Sequence, residues 1–261
     1  MHTHWMMTRR TLLLGGALLL SAGLALADEI RVISSGGFTA AYKQLVPLYE
    51  QASGHKVVTA YGASIGNAPD SIPSRLARGE VFDILILSGD GLDKLVQQGH
   101  VAPGSRVDLG RSIIGMSVRK GTPKPDISTV AALKQTLLNA QSIAYSASAS
   151  GTYLSTELFP RLGLAEQLKD KAKKIYSERV GAVVARGDAE IGFQQVSELL
   201  PFTELDYVGP LPDEVQQVIF FSAGIGAHAR ASEAARHLVR YLASPAAAAI
   251  VRSTGLDPVA K

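Results

Sequence analysis

At 261 residues, 46% hydrophobic and 19% charged, the chain is long enough for one large domain or two lobes and too apolar to stay unfolded. Its formal charge of +3 owes much to a front end that holds Arg9 and Arg10 and no acid, and no basic cluster with interleaved aromatics follows, so nucleic acid is not an expected partner. The absence of cysteine excludes disulfides, thiolate catalysis and a lipid anchor on an N-terminal cysteine.

The leader "MTRRTLLLGGALLLSAGLALADE" has a basic start, an apolar run and small residues at its exit, the pattern of a secretory signal over residues 1–27. Cleavage is expected between Ala27 and Asp28, giving a soluble periplasmic protein. "TRRTLLL" also fits a twin-arginine signal. "EIRVISSGGF" then predicts a strand that breaks at Gly36 and Gly37. "TAAYKQLVPLYEQASG" spaces Ala41, Leu45, Leu48 and Tyr49 along one helix face and stops at Gly54. "HKVVTAYGAS" is a second strand, "SIPSRLARGEV" a helix, "FDILILSG" a buried strand and "GLDKLVQQGHV" a helix. The alternation implies a mainly parallel sheet with helices on both faces.

"RSIIGMSVRKG" predicts a strand. "ISTVAALKQTLLNA" is a helix capped by Ser128 or Thr129. "QSIAYS" is a strand, and "GTYLSTELFPRLG" begins a helix. "RVGAVVARGDAEIGFQQVSEL" gives a short helix, a turn and a strand, completing a second α/β unit. "QQVIFFSAGIGAH" is a returning strand, and two helices broken at Pro245 follow. The expected organisation is an α/β protein of two lobes. Residues 28–110 begin lobe one, 111–212 form lobe two, and 213–261 return to complete lobe one. Crossings near Asp108–Ile113 and Pro210–Val218 would form the hinge.

Ligands of open α/β sheets sit at the carboxyl ends of strands. Four such ends carry small or hydroxylic residues: "SSGGF" (Ser34–Phe38), "YGASIGN" (Tyr61–Asn67), "SASASGTY" (Ser146–Tyr153) and "IGFQQVS" (Ile191–Ser197). Ser35, Gly36, Phe38, Ser148 and Gly151 are candidate contacts on these loops, where hydroxyls and free N–H groups suit an anion. No dinucleotide fingerprint or phosphate-binding lysine follows "SSGGF". His55, His100, His228 and His237 are scattered without ligand spacing. No cofactor or metal is expected. Asp70, Asp83, Asp90 and Asp93 have the places of turn or cap residues.

The segments "IRVISSGGFTAAYKQLVPLYEQASGHKV", "LARGEVFDILIL", "SIAYSASASGTYLSTELFPRLGL", "RVGAVVARGDAEIGF" and "YLASPAAAAIVRSTGL", in that order, resemble the type II periplasmic solute-binding proteins of the molybdate-binding family. The resemblance spans nearly all of residues 28–256. It implies two α/β lobes, each with a mainly parallel sheet, closing over a ligand held by hydroxyls and backbone N–H groups. Carried over by position, the first contact falls on Gly37, the second near Ser64, the third on Ser150, the fourth near Arg179 and the fifth on Gln195. A hydroxyl is lost at Gly37, a guanidinium is gained at Arg179, and Gln195 replaces a tyrosine. These changes suit a small di- or tricarboxylate, which a guanidinium pairs bidentately.

The chain also resembles, in its leader, length and carboxylate-friendly changes, a branch of this family that interconverts trans- and cis-aconitate. That resemblance implies an allylic proton shift, for which Tyr153, Glu178 and Asp70 are the candidate acids and bases by type and place. The alternative is a receptor that hands a small anion to an inner-membrane permease of an importer. Either way a monomer is expected.

Overall fold

The computed structural model describes residues 28–259, so the expected leader lies outside the described residues. Two sheets organise the chain. The first holds β1 (Glu29–Ser34), β2 (Lys56–Tyr61), β3 (Ile84–Ser88), β4 (Val107–Ser112), β10 (Ile219–Ile225) and β11 (Asp257–Pro258). The second holds β5 (Ile114–Arg119), β6 (Ile143–Ser146), β7 (Ala172–Ile175), β8 (Ile191–Gln195) and β9 (Leu205–Pro210). Their orders are β11-β4-β10-β3-β1-β2 and β7-β6-β8-β5-β9. β1 runs parallel to β2 and β3, and β6 parallel to β7 and β8. The strands beside the crossings join antiparallel: β10 with β3 and β4, and β5 with β8 and β9.

The segment predicted as one strand at "RSIIGMSVRKG" is two. β4 ends in the first sheet, Ile113 turns the chain, and β5 begins in the second. The return passes through residues 211–218.

The helices are α1 (Gly36–Ser53), α2 (Ile72–Ala77), α3 (Gly89–Gln97), α4 (Val130–Asn139), α5 (Ala149–Tyr153), α6 (Phe159–Arg161), α7 (Ala165–Leu168), α8 (Val180–Ala185), α9 (Val196–Leu199), α10 (Ser232–Leu242) and α11 (Pro245–Ser253). A π-helical turn, Leu154–Leu158, joins α5 to α6. Each sheet is covered on both faces, which explains why β3 is an unbroken buried run, "ILILS". On the first sheet, Phe38, Tyr42, Leu45 and Tyr49 of α1 pack with Leu238 of α10 and Val251 of α11. Ile72 of α2 and Leu92 and Leu95 of α3 cover the other face. On the second sheet, Leu133, Leu154 and Phe159 pack on one side, and Val180, Val184 and Leu199 on the other.

Two helix expectations need adjusting. α1 starts at Gly36, so the paired glycines form its first turn rather than a loop before it. Leu48 is 46% exposed; the buried stripe runs through Phe38, Tyr42, Leu45 and Tyr49 instead. Asp83, placed by sequence at a turn, is a buried clamp. Its carboxylate accepts from the N–H groups of Arg31 at 2.7 Å, Arg230 at 2.6 Å and Ala231 at 3.1 Å, tying β1 to the entry of α10. His55 and His237, far apart in sequence, meet around Tyr49, with ring centres 6.5 Å apart. The Tyr49 hydroxyl and His237 Nδ1 are 3.2 Å apart. Among the described residues no helix is long and apolar enough to cross a membrane.

Candidate functional site

The carboxyl ends of β1, β2, β6, β7 and β8 open onto one cleft of about 180 Å³ between the two sheets. Four helices begin there. Their N-caps are Ser35 for α1, Ser148 for α5, Arg179 for α8 and Gln195 for α9, and all four line the cleft. None of these side chains caps its own helix. Elsewhere Ser71, Thr129 and Ser244 do so in the ordinary way. First-turn N–H groups have no partner inside their helix and take other acceptors. α1, at 18 residues, adds a macrodipole. The other three span only five, six and four residues, so there the N–H groups alone matter.

Side chains add to this cradle. Ser35 is 2% exposed and Gln195 1% exposed. The Ser35 hydroxyl and both amide atoms of Gln195 find no hydrogen-bond partner among the described residues. An unpaired buried polar group costs about 1–3 kcal/mol. An accepting ligand oxygen in the cleft would offset that cost at the Ser35 hydroxyl and at Gln195 Nε2. Ser64 crosses the cleft: its N–H donates to Ser148 Oγ at 3.2 Å, while its own Oγ accepts from the Ser88 N–H at 3.0 Å. A second bond joins the halves where Ser197 Oγ donates to the Gly37 carbonyl at 2.7 Å.

The charges in the cleft differ in how they are engaged. The Arg179 guanidinium forms no hydrogen bond or ion pair among the described residues, although its charge acts on Glu198 and Tyr61. Glu178 is gripped by Arg186 through two bonds of 2.7 and 2.8 Å, and this pairing holds its carboxyl below the usual range. Asp70 Oδ1 accepts from Ser177 Oγ at 3.4 Å. Glu198 is different. Burial pushes its carboxyl up to about 7, against the opposing pull of Arg179 and a hydrogen bond from Gln194. Gln194 Nε2 donates to Glu198 Oε1 at 2.9 Å.

Sequence reasoning stopped one residue short of Glu198, ending the fourth loop at Ser197. A glutamate in the first turn of a helix is ordinarily placed there by the helix start itself, so its position alone does not mark it. The signal that could have found it is "SSGG" itself. A Cβ on Gly36 would lie 1.8 Å from Glu198 Oε1, so the glycine makes room for the carboxyl.

Ser35, Gly36, Gly37, Ser64, Asp70, Ser148, Ser150, Glu178, Arg179 and Gln195 all line the cleft. Three candidates do not. Phe38 is fully buried in the core between α1 and the first sheet, because the first residue after the glycine pair turns inward. Gly151 lies against the backbone of Ser146, where a Cβ would come within 1.6 Å of the carbonyl oxygen. Tyr153 packs in the core of the second lobe and donates its hydroxyl to the Val215 carbonyl at 2.8 Å. The space at Gly37, where a hydroxyl was lost, is taken by the ring of Phe221, whose Cζ would lie 1.9 Å from an added Cβ. Thr39, Tyr61, Ser146, Tyr176 and Gln194 also line the cleft. Among the described residues no group of three His, Asp or Glu side chains gathers as a metal site.

The chain matches the bacterial extracellular solute-binding protein family over residues 30–257. It is 49% identical over 252 residues to an aconitate isomerase of a Pseudomonas species, covering 95% of this chain and 96% of that protein. It is 28% identical over 253 residues to the molybdate-binding protein ModA of Azotobacter vinelandii, covering 95% and 97%. The solved structure of the A. vinelandii periplasmic molybdate-binding protein superposes with a TM-score of 0.69 at 22% identity, covering 87% of this chain and 98% of that one. A two-lobed α/β fold, a cleft at the strand ends and a match along nearly the whole described chain agree: this chain belongs to the bacterial extracellular solute-binding proteins, in the type II group of the molybdate-binding family.

Proposed function

We propose that the protein is a periplasmic isomerase that interconverts trans- and cis-aconitate by an allylic proton shift. The observation that carries this is Arg179: a guanidinium with no ion-pair partner among the described residues, facing a ring of hydroxyls and helix starts. A planar guanidinium fits a planar carboxylate through two parallel bonds. Ser148, Ser150 and the first turn of α5 would take a second carboxylate, and Ser35 and Gln195 a third. The aconitate isomerase at 49% identity supports the same substrate.

The reaction asks for a base next to a carboxylate, an acid two carbons away, and donors to hold the charge that spreads into the carboxylates. Proton abstraction leaves a dienolate-like anion, and the cradle's N–H and O–H donors meet that charge where it develops. The purified mature chain is expected to convert trans-aconitate into a mixture with cis-aconitate, followed by chromatography. The second reading is a receptor for an importer, favoured by the molybdate-binding relatives. Trans-aconitate that raises the melting temperature without any cis isomer over hours would establish that reading instead.

Tyr153 has a structural role in this scheme. Tyr153→Phe removes the bond to Val215 and is expected to lower stability by about 1–2 kcal/mol. Turnover should stay within about threefold of the parent once the melt is accounted for, since the ring lies outside the cleft. A 100-fold loss, within the range usual for a lost acid–base group, would return Tyr153 to the chemistry.

A further inference from the structure

We propose that Glu198 is the catalytic acid–base residue of the cleft, an assignment that rests on the isomerase reading above. Its geometry separates it from the other carboxylates. Glu178 is occupied by Arg186. Asp70 is exposed at the cleft edge against Ser177. Glu198 stands on the floor beside the first turn of α1, with Oε1 fixed by Gln194 and Oε2 making no hydrogen bond among the described residues. Arg179 lies near enough to act on its charge yet forms no ion pair with it. A substrate carboxylate on Arg179 thus brings its neighbouring carbon toward Oε2.

The surroundings keep this carboxyl poised. The elements packed around it carry Tyr42, Lys43, Tyr49 and Glu50 on α1, Arg119 on β5, Arg179 and Arg186 at the two ends of α8, and Asp206 and Tyr207 on β9, with Asp70 and Glu178 elsewhere in the cleft. Of these, Arg179 is the one that acts on Glu198, and burial outweighs it. Base catalysis is most efficient when the group titrates near the working pH.

The step balances without a co-reactant. Oε2 of ionised Glu198 takes a proton from the methylene carbon of trans-aconitate. The C–H electron pair spreads across the allyl system into the flanking carboxylates, held by Arg179 and the helix-start N–H groups. The carboxylic acid so formed gives a proton to the former vinyl carbon. The double bond has moved, and formula and oxidation state are unchanged.

The test is Glu198→Gln beside the parent chain, each assayed for turnover of trans-aconitate and for binding by calorimetry. Expected is a fall in kcat of at least about 100-fold with trans-aconitate still bound. Gly36→Ala is the companion variant: it removes no functional group but drives a methyl into the position of Oε1 and displaces it, and kcat should fall with Glu198 present. The parent's kcat/KM should rise with pH through about 7, because the base must be ionised. A readout independent of turnover follows from the same group. Its folded pKa is raised above 4.5, so the folded chain resists its ionisation; that penalty is absent below 4.5 and complete above about 7. Glu198→Gln should therefore melt above the parent near pH 8 and not near pH 5. Equal turnover by parent and Glu198→Gln would overturn the assignment and leave the isomerase standing. No turnover by the parent would overturn both.

Discussion

Arg179→Ala is expected to weaken trans-aconitate binding by about 2–4 kcal/mol, roughly thirty- to several-hundred-fold in Kd. Three features set that size. The guanidinium is half-buried at the start of α8, so its bond to a carboxylate forms in a partly dehydrated cleft. It forms no ion pair among the described residues, so the ligand displaces no competing carboxylate. Its loss leaves a substrate anion facing Glu198 without the compensating charge. Arg179→Lys should recover part of the loss, since an ammonium restores charge but not the two-pronged geometry. Ser150→Ala should cost less, about 1–2 kcal/mol, as a neutral donor. Isothermal titration at two salt concentrations measures all three. Part of the effect should shrink at high salt, because the site opens to solvent. An Arg179→Ala affinity within about threefold of the parent would remove the carboxylate clamp from the scheme.

Gly151→Ala is expected to be the most damaging single methyl among the described glycines. The added Cβ would stand 1.6 Å from the Ser146 carbonyl oxygen and 2.6 Å from its carbon. These are backbone atoms at the end of β6, held in register with β7 and β8, so no flexible side chain can swing away. Overpacking costs 1–3 kcal/mol where side chains can adjust; here the strand end or α5 must move, and about 3 kcal/mol or more is expected. For a protein of this size that lowers the melting temperature by about 6–12 °C. Ligand binding should fall as well, because Ser148 and Ser150 sit on the turn that would be displaced. A variant melting within about 1 °C of the parent would show that the loop has slack the structure does not suggest.

Much of the fold is legible in the sequence because the signals are local. Apolar runs such as "FDILIL" and "QSIAYS" end in glycine or serine, and helices close on Gly54, Gly99 and Gly163, whose φ angles of 76°, 77° and 71° belong to the left-handed region. The cleft's lining is legible for the same reason: small hydroxylic residues after strands have few other uses in such numbers. Direction is not legible. Gly36, Gly37 and Phe38 are consecutive, yet one makes room for a carboxyl, one lies under the ring of Phe221, and the third is core. Tyr153 and Glu198 show how direction escapes the sequence. Tyr153 stands on a serine-rich loop but turns to Val215. Glu198 stands where helices often carry glutamate, and only tertiary packing half-buries it and pushes its carboxyl up.

The order of the first sheet sets when this protein becomes whole. β10 lies between β4 and β3, so the sheet cannot close until Ile225 has left the ribosome, long after β1 to β4 are made. The second sheet is continuous from Ile114 to Pro210 and has all its strands before then. Pairings of such long sequence separation form slowly. Between the emergence of Pro210 and that of Ile225 the nascent chain carries one half with all its strands and one half still open-edged. The cleft, which takes residues from both, assembles at the end.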